Sequence, residues 1–147
     1  MNASHLSELL PALQVAVAPV ILISGVGLLL LSLTNRFGRA VDRARHLRRD
    51  LGEASDTERR QLTEQVDNLY RRARLIRTAI VTAAASELFA ALLIITLFVE
   101  QLLSWPAALA VGLLFVFCLG ALIVSLVAFM LEIRLSLAAL KLELGRR

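Results

Sequence analysis

The sequence predicts an all-α membrane protein: three transmembrane helices, with a long cytoplasmic antiparallel helical hairpin between the first and the second. Three observations predict it. Three long runs are apolar all round, the basic residues are confined to the two segments that alternate with those runs, and the segment between the first two runs repeats apolar residues at threes and fours. Composition agrees: 58% of the 147 residues are hydrophobic, above the roughly 45–50% of an average soluble domain, and mean hydropathy is +0.73. Aromatics are only 5%, so the apolar residues are mostly Leu, Ala, Ile and Val, which form helices in lipid.

The length fits a single domain, and the elements follow in order. Residues 1–11 form a short N-terminal tail on the periplasmic or extracellular side. Ala12 to Thr34 is a first span of 23 residues with no charge. Residues 35–78 form the hairpin. Ala79 to Val99 is a second span of 21 residues whose one charge is Glu87. Residues 100–104 form an outer loop, Trp105 to Leu131 is a third span of 27 uncharged residues, and residues 132–147 are a cytoplasmic basic tail. A spanning helix needs about 20 predominantly apolar residues. A soluble bundle would need polar faces at the helical period, and these runs have none. The N-terminus is no cleavable signal, because no basic residue precedes the first run.

Arginine and lysine set the orientation. Residues 35–78 hold twelve Arg, and the tail holds Arg134, Lys141, Arg146 and Arg147, which together are all 16 basic residues. The positive-inside rule puts both segments in the cytoplasm. Trp105 then falls at the outer interface, where an amphipathic ring is favoured.

The hairpin is legible from spacing. Phe37, Val41, Ala44, Leu47 and Leu51 mark one seam; Leu62, Val66, Leu69, Ala73, Ile76 and Ile80 mark the other, in the manner of heptads. Gly52 suits a helix stop, and Ser55 with Glu58 makes a capping box for the next helix. Neither arm breaks at the membrane. Span one is expected to run on toward Leu51 and span two to begin near Asp56. Seven acids interleave with the arginines of the hairpin. Arg36, Arg39 and Arg43 on one arm, and Arg74 and Arg77 on the other, crowd toward the bilayer and are expected to contact lipid phosphates. Nucleic acid is not an expected partner, because neither a phosphate-binding glycine loop nor interleaved aromatics accompany the charge.

Glu87 is the singular residue of the membrane half. An acid at mid-membrane costs about 2.5–3.5 kcal/mol on insertion scales, so it must be protonated, paired or facing water. The hairpin seam extended through Ile80, Ala83, Glu87, Ala90 and Ile94 puts it on the packed stripe. Ser86, Ser24 and Ser125 lie at similar depth, as interhelical polar contacts or as the walls of an ion pathway. The spans contain no Lys or Arg, so no intramembrane ion pair is expected within one chain. Pro19 removes a backbone hydrogen bond in mid-span and is expected to kink the first helix. Gly112 and Gly120 share one face of span three and suit close packing, including packing between protomers.

Several chemistries are excluded. Cys118 is alone in an apolar run, a packing residue that supplies neither a disulfide nor a zinc site. His5 and His46 have no partners at metal-ligand spacing, and neither cofactor nor metal is expected. Catalytic pairs and nucleotide motifs are missing, and the hairpin by itself looks too thin to enclose a pocket of roughly 300 Å³. Enzyme activity is not expected.

The succession Thr34, Asn35, Arg36, then Gly38, Arg39, then Val41, Asp42, Arg43 and Arg45, then Leu69 and the run Arg71 to Ile76, resembles the bacterial membrane proteins grouped as the domain of unknown function 2721. The resemblance spans about Leu13 to Leu140. It implies a small bacterial inner-membrane protein and supplies no catalytic or binding residues. Two readings of function stay open. In the first, a homo-oligomer conducts ions or senses protons with Glu87 near the pathway. In the second, a non-transporting scaffold or regulatory subunit uses the hairpin to dock an unknown cytoplasmic protein.

Overall fold

A computed structural model describes residues 3–53, 56–103 and 106–144, with side chains over 17–52, 58–60, 62–103 and 106–137. It consists of three helices: α1 (Ala3–Glu53), α2 (Asp56–Leu103) and α3 (Ala108–Leu144). All three are long and apolar enough to cross a membrane. Only 11%, 22% and 17% of their most apolar stretches is buried within the chain. That leaves extensive apolar surface which water would not tolerate and lipid would.

The continuity expected at the first two spans is present. Helix α1 runs through Pro19 and Arg36 without interruption, so the missing amide hydrogen of the proline does not end it. Helix α2 starts at Asp56. Two boundaries differ from expectation. Residues 100–103, expected as loop, extend α2 to Leu103; no helix breaker occurs before Pro106, so propensity carries the helix on. Residues after Leu131, expected as a tail, continue α3 to Leu144, because Leu, Ala, Glu and Lys there are strong helix formers. Ser55 of the expected capping box and Trp105 lie outside the described residues.

The chain divides into two compact units. One comprises residues 31–81 and 124–147. Its buried residues are Leu33, Ala40 and Leu47 of α1, Ile76 and Ala79 of α2, and Ser125, Ala128 and Glu132 of α3. The α1 positions recur every seven residues, and those of α2 and α3 at threes and fours, the pattern of helices packed at a shallow angle. The expected seam residues Phe37, Val41, Ala44 and Leu51, and Leu62, Val66, Leu69, Ala73 and Ile80, are half-buried beside that core.

The other unit comprises residues 1–30 and 82–123. Among its described residues, Val26, Ala83, Ser86, Ala90, Leu93 and Cys118 are buried. Phe89 and Phe117 stack with ring centroids 5.8 Å apart. Most buried side chains are small, which lets backbones approach closely. Gly27 faces Glu87: a Cβ there would sit at ordinary contact distance, 3.5 Å from Glu87 Oε1.

The buried stripe of α2 follows the extended hairpin seam in part: Ala83 and Ala90 are buried as expected, but the other members are not. Ser86 and Leu93 are buried where Glu87 and Ile94 were expected, and Ala79 where Ile80 was. The seam was extrapolated from pairing with α1 alone. Packing by α3 as well shifts the buried face toward Ala79, Ser86 and Leu93 while keeping Ala83 and Ala90 within it.

Candidate functional site

The strongest polar constellation is built on Glu132, which sequence reasoning did not single out. Its side chain is 1% exposed. Arg36 Nη1 donates to its Oε2 at 2.7 Å. Arg72 donates to Oε1 twice, from Nη2 at 2.9 Å and from Nε at 3.3 Å. One residue from each helix therefore meets in a three-member ion cluster. Spacing explains the meeting. Arg36 lies three residues after Leu33 and four before Ala40, Arg72 four before Ile76, and Glu132 four after Ala128. Residues three and four apart share a helix face, and each of these reference residues is buried. Phe129, three before Glu132, backs the arrangement, with Arg36 Cζ 5.1 Å from its ring centroid. A guanidinium over an aromatic face is favourable.

A cleft of about 260 Å³ opens beside the cluster, lined by Arg36, Arg39, Ala40, Arg43, Leu69, Arg72 and Glu132. Two hairpin arms alone would be too thin for it; α3 supplies the third wall. Four guanidinium groups face one carboxylate, so the lining is strongly cationic. Arg36 and Arg72 keep 34% and 30% side-chain exposure, which leaves them within reach of a ligand even while bonded to Glu132.

The residues singled out from the sequence are distributed as follows. Arg36, Arg39 and Arg43 come together in the cleft. Arg74 instead lies over its own helix neighbour Tyr70, 5.0 Å from the ring centroid, and Arg77 is exposed and does not line the cleft. Ser125 Oγ donates to the Ala79 carbonyl at 2.8 Å, an interhelical contact. Ser86 and Cys118 hold each other: Ser86 Oγ donates to the Cys118 carbonyl at 2.9 Å, and Cys118 Sγ to the Ser86 carbonyl at 3.3 Å. Ser24 is exposed and donates to the Val20 carbonyl of its own helix at 3.2 Å, not to another span. Glu87 is half-buried against Gly27 and makes no hydrogen bond or ion pair among the described residues. Arg72, Ala79 and Ser86 are spaced at sevens along α2, and Cys118, Ser125 and Glu132 at sevens along α3. Each contact between those sets joins members at matching steps of an antiparallel heptad repeat. That repeat was a readable signal for Glu132, which follows directly on the last apolar residue of span three.

No group of three or more His, Cys, Asp or Glu that could hold a metal occurs among the described residues. Chemically the site offers fixed positive charge with oriented N–H donors, and one acid that organises them.

An all-helical chain with three helices long and apolar enough to cross a membrane is the architecture of a small multi-pass membrane protein. The chain belongs to the family described as Protein of unknown function (DUF2721), which matches residues 16–142. That range contains every member of the ion cluster and of the cleft. No curated protein and no solved structure matches the chain.

Proposed function

We propose that this is a non-transporting scaffold or regulatory subunit of the bacterial inner membrane, with its basic hairpin as a cytoplasmic docking surface. The distribution of arginine supports that orientation by the positive-inside rule. The observation that carries the scaffold reading is the ion cluster. A carboxylate that is 1% exposed and held by two guanidinium groups is a static joint between the hairpin and α3. It ties the hairpin arms to α3, which suits a hairpin that presents a preformed docking surface. The polar groups of the apolar segments are likewise used internally, as Ser86 with Cys118 and Ser125 with Ala79. Gly112 and Gly120 are exposed with open space at their Cβ positions, which suits close contact with a second copy. Anionic lipid headgroups are partners of the arginines; no catalytic role is proposed.

One observation favours a second reading. Glu87, half-buried and without an ion pair or hydrogen bond among the described residues, is the arrangement expected of an acid near an ion or proton pathway in a homo-oligomer. Liposome flux separates the two. Tight wild-type proteoliposomes, with Glu87→Gln altering only oligomer stability in detergent, support the scaffold. Wild-type conductance whose selectivity or pH response changes in Glu87→Gln overturns it in favour of the pathway.

A further inference from the structure

We propose that the cleft lined by Arg36, Arg39, Arg43, Arg72 and Glu132 is a binding site for a phosphate group. Charge is the first argument. Four guanidinium groups against one carboxylate leave three positive charges uncompensated within about 260 Å³. Glu132 is the one acid in that lining, among the described residues.

Preorganisation is the second argument. Glu132 accepts one N–H from Arg36 and two from Arg72, while each guanidinium carries five. The carboxylate therefore orients two forks without exhausting them, and Phe129 holds one of them from behind. Donors fixed in this way lose little freedom on binding. Planar forks match phosphate oxygens bidentately, which a mobile lysine would not. Arg39 and Arg43 are exposed on the rim and have no such internal partner in the cleft, so they are available to the ligand.

Size and level narrow the ligand. The cleft falls below the roughly 300–1,000 Å³ of pockets that enclose drug-sized molecules, so it suits a phosphate rather than a whole nucleotide. Arg36 follows the apolar run ending at Thr34, and Glu132 directly follows Leu131. In an inserted chain that is the depth of the phospholipid phosphate. A lipid headgroup and a free phosphate share this chemistry. The lipid source rests on the insertion proposed above; the site itself does not, because binding is read in detergent.

The test uses the full chain in a neutral detergent, with bound ligand counted by native mass spectrometry. The probes are phosphatidylglycerol, phosphatidylcholine and inorganic phosphate. Phosphatidylglycerol is expected to be retained in preference to phosphatidylcholine. Arg39→Gln with Arg43→Gln is expected to weaken that retention by about tenfold or more, for two charge-assisted contacts removed. Arg45→Gln with Arg48→Gln removes the same charge from the same arm outside the cleft, and is expected to change retention by no more than about twofold. Phosphate that displaces the lipid, or binds alone with the same sensitivity to Arg39 and Arg43, supports the site and assigns it to a soluble source. Equal losses in the two double variants, or no preference among the probes, overturn the proposal. Should the Arg39/Arg43 variant lose helicity, Arg72→Lys keeps the charge but removes the fork. Retention unchanged in that variant overturns the proposal equally.

Discussion

Removing both partners of Glu132 is the most severe single test of how this fold is held. Arg36→Met and Arg72→Met keep an apolar stem of similar length but strip the donors from a carboxylate that is 1% exposed. Hydrogen bonds to a charged group contribute about 1.5–3 kcal/mol each. Either single variant leaves the other guanidinium in place, and both arginines are about a third exposed, so the lower end, about 1.5 kcal/mol, is expected for each. The double variant leaves a buried charge with no partner, at about 3–5 kcal/mol, more than the singles combined. At 1.4 kcal/mol per factor of ten, the ratio of folded to unfolded chain falls by about a hundredfold to several thousandfold. Adding Glu132→Leu to the double variant removes the stranded charge and is expected to restore most of the loss, since apolar replacement of a buried ion cluster is often neutral. Denaturant titration in mixed micelles, followed by far-ultraviolet circular dichroism, measures all of these. A double variant as stable as the wild type, or a triple variant no better than the double, would refute the reasoning.

The remaining predictions concern the helix contacts and the faces left open. Ser125→Ala removes the bond to the Ala79 carbonyl and is expected to destabilise by about 1 kcal/mol in the same titration, whereas Ser24→Ala, which loses a bond within one helix, should change it little. Ser86→Ala and Cys118→Ala should be non-additive, with a coupling energy of about 0.5 kcal/mol or more, because each residue bonds the other's carbonyl; strict additivity contradicts the pairing. Gly27→Ala places a methyl group at ordinary contact distance, 3.5 Å from Glu87, and should leave stability intact, while Gly27→Leu should displace that carboxylate and lower it. A Cβ at exposed Gly120 meets nothing within 4 Å among the described residues, so in Gly120→Leu helicity and protomer stability should hold while the oligomer in detergent shrinks; an unchanged oligomer removes that face from the interface. A thiol placed by Trp105→Cys in a Cys118→Ala background should react with an impermeant reagent from outside, and labelling only from the cytoplasmic side reverses the proposed topology.

The scaffold reading and the phosphate site are connected by Glu132. The same carboxylate that joins α3 to the hairpin also aims Arg36 and Arg72 into the cleft. Glu132→Gln therefore probes both roles at once. The Arg39 and Arg43 variants reach the ligand without disturbing the joint, which keeps the two readings separable.

What the sequence by itself determined is set by solvent preference and by local geometry. Runs without charge at Ala12 to Thr34 and Trp105 to Leu131 have to be helical in lipid, because only internal hydrogen bonding satisfies the backbone there. Helix α1 runs through Gly52 to Glu53, one residue beyond the expected stop, and α2 begins at Asp56, where the next arm was expected to start. None of that needs a partner helix. The ion cluster does. Arg36 and Arg72 are two among sixteen basic residues, and Glu132 reads as the first residue of a polar tail. Their meeting depends on how three helices are rotated about their axes, and a rotation of one residue, about 100°, decides it. A smaller rotation put Ser86 rather than Glu87 on the buried stripe of α2, with Ala83 and Ala90 buried either way. A helix faces whatever neighbours pack against it. Only tertiary structure, with α3 in place, showed that α2 turns Ser86 inward and leaves Glu87 half-buried at the edge of that contact.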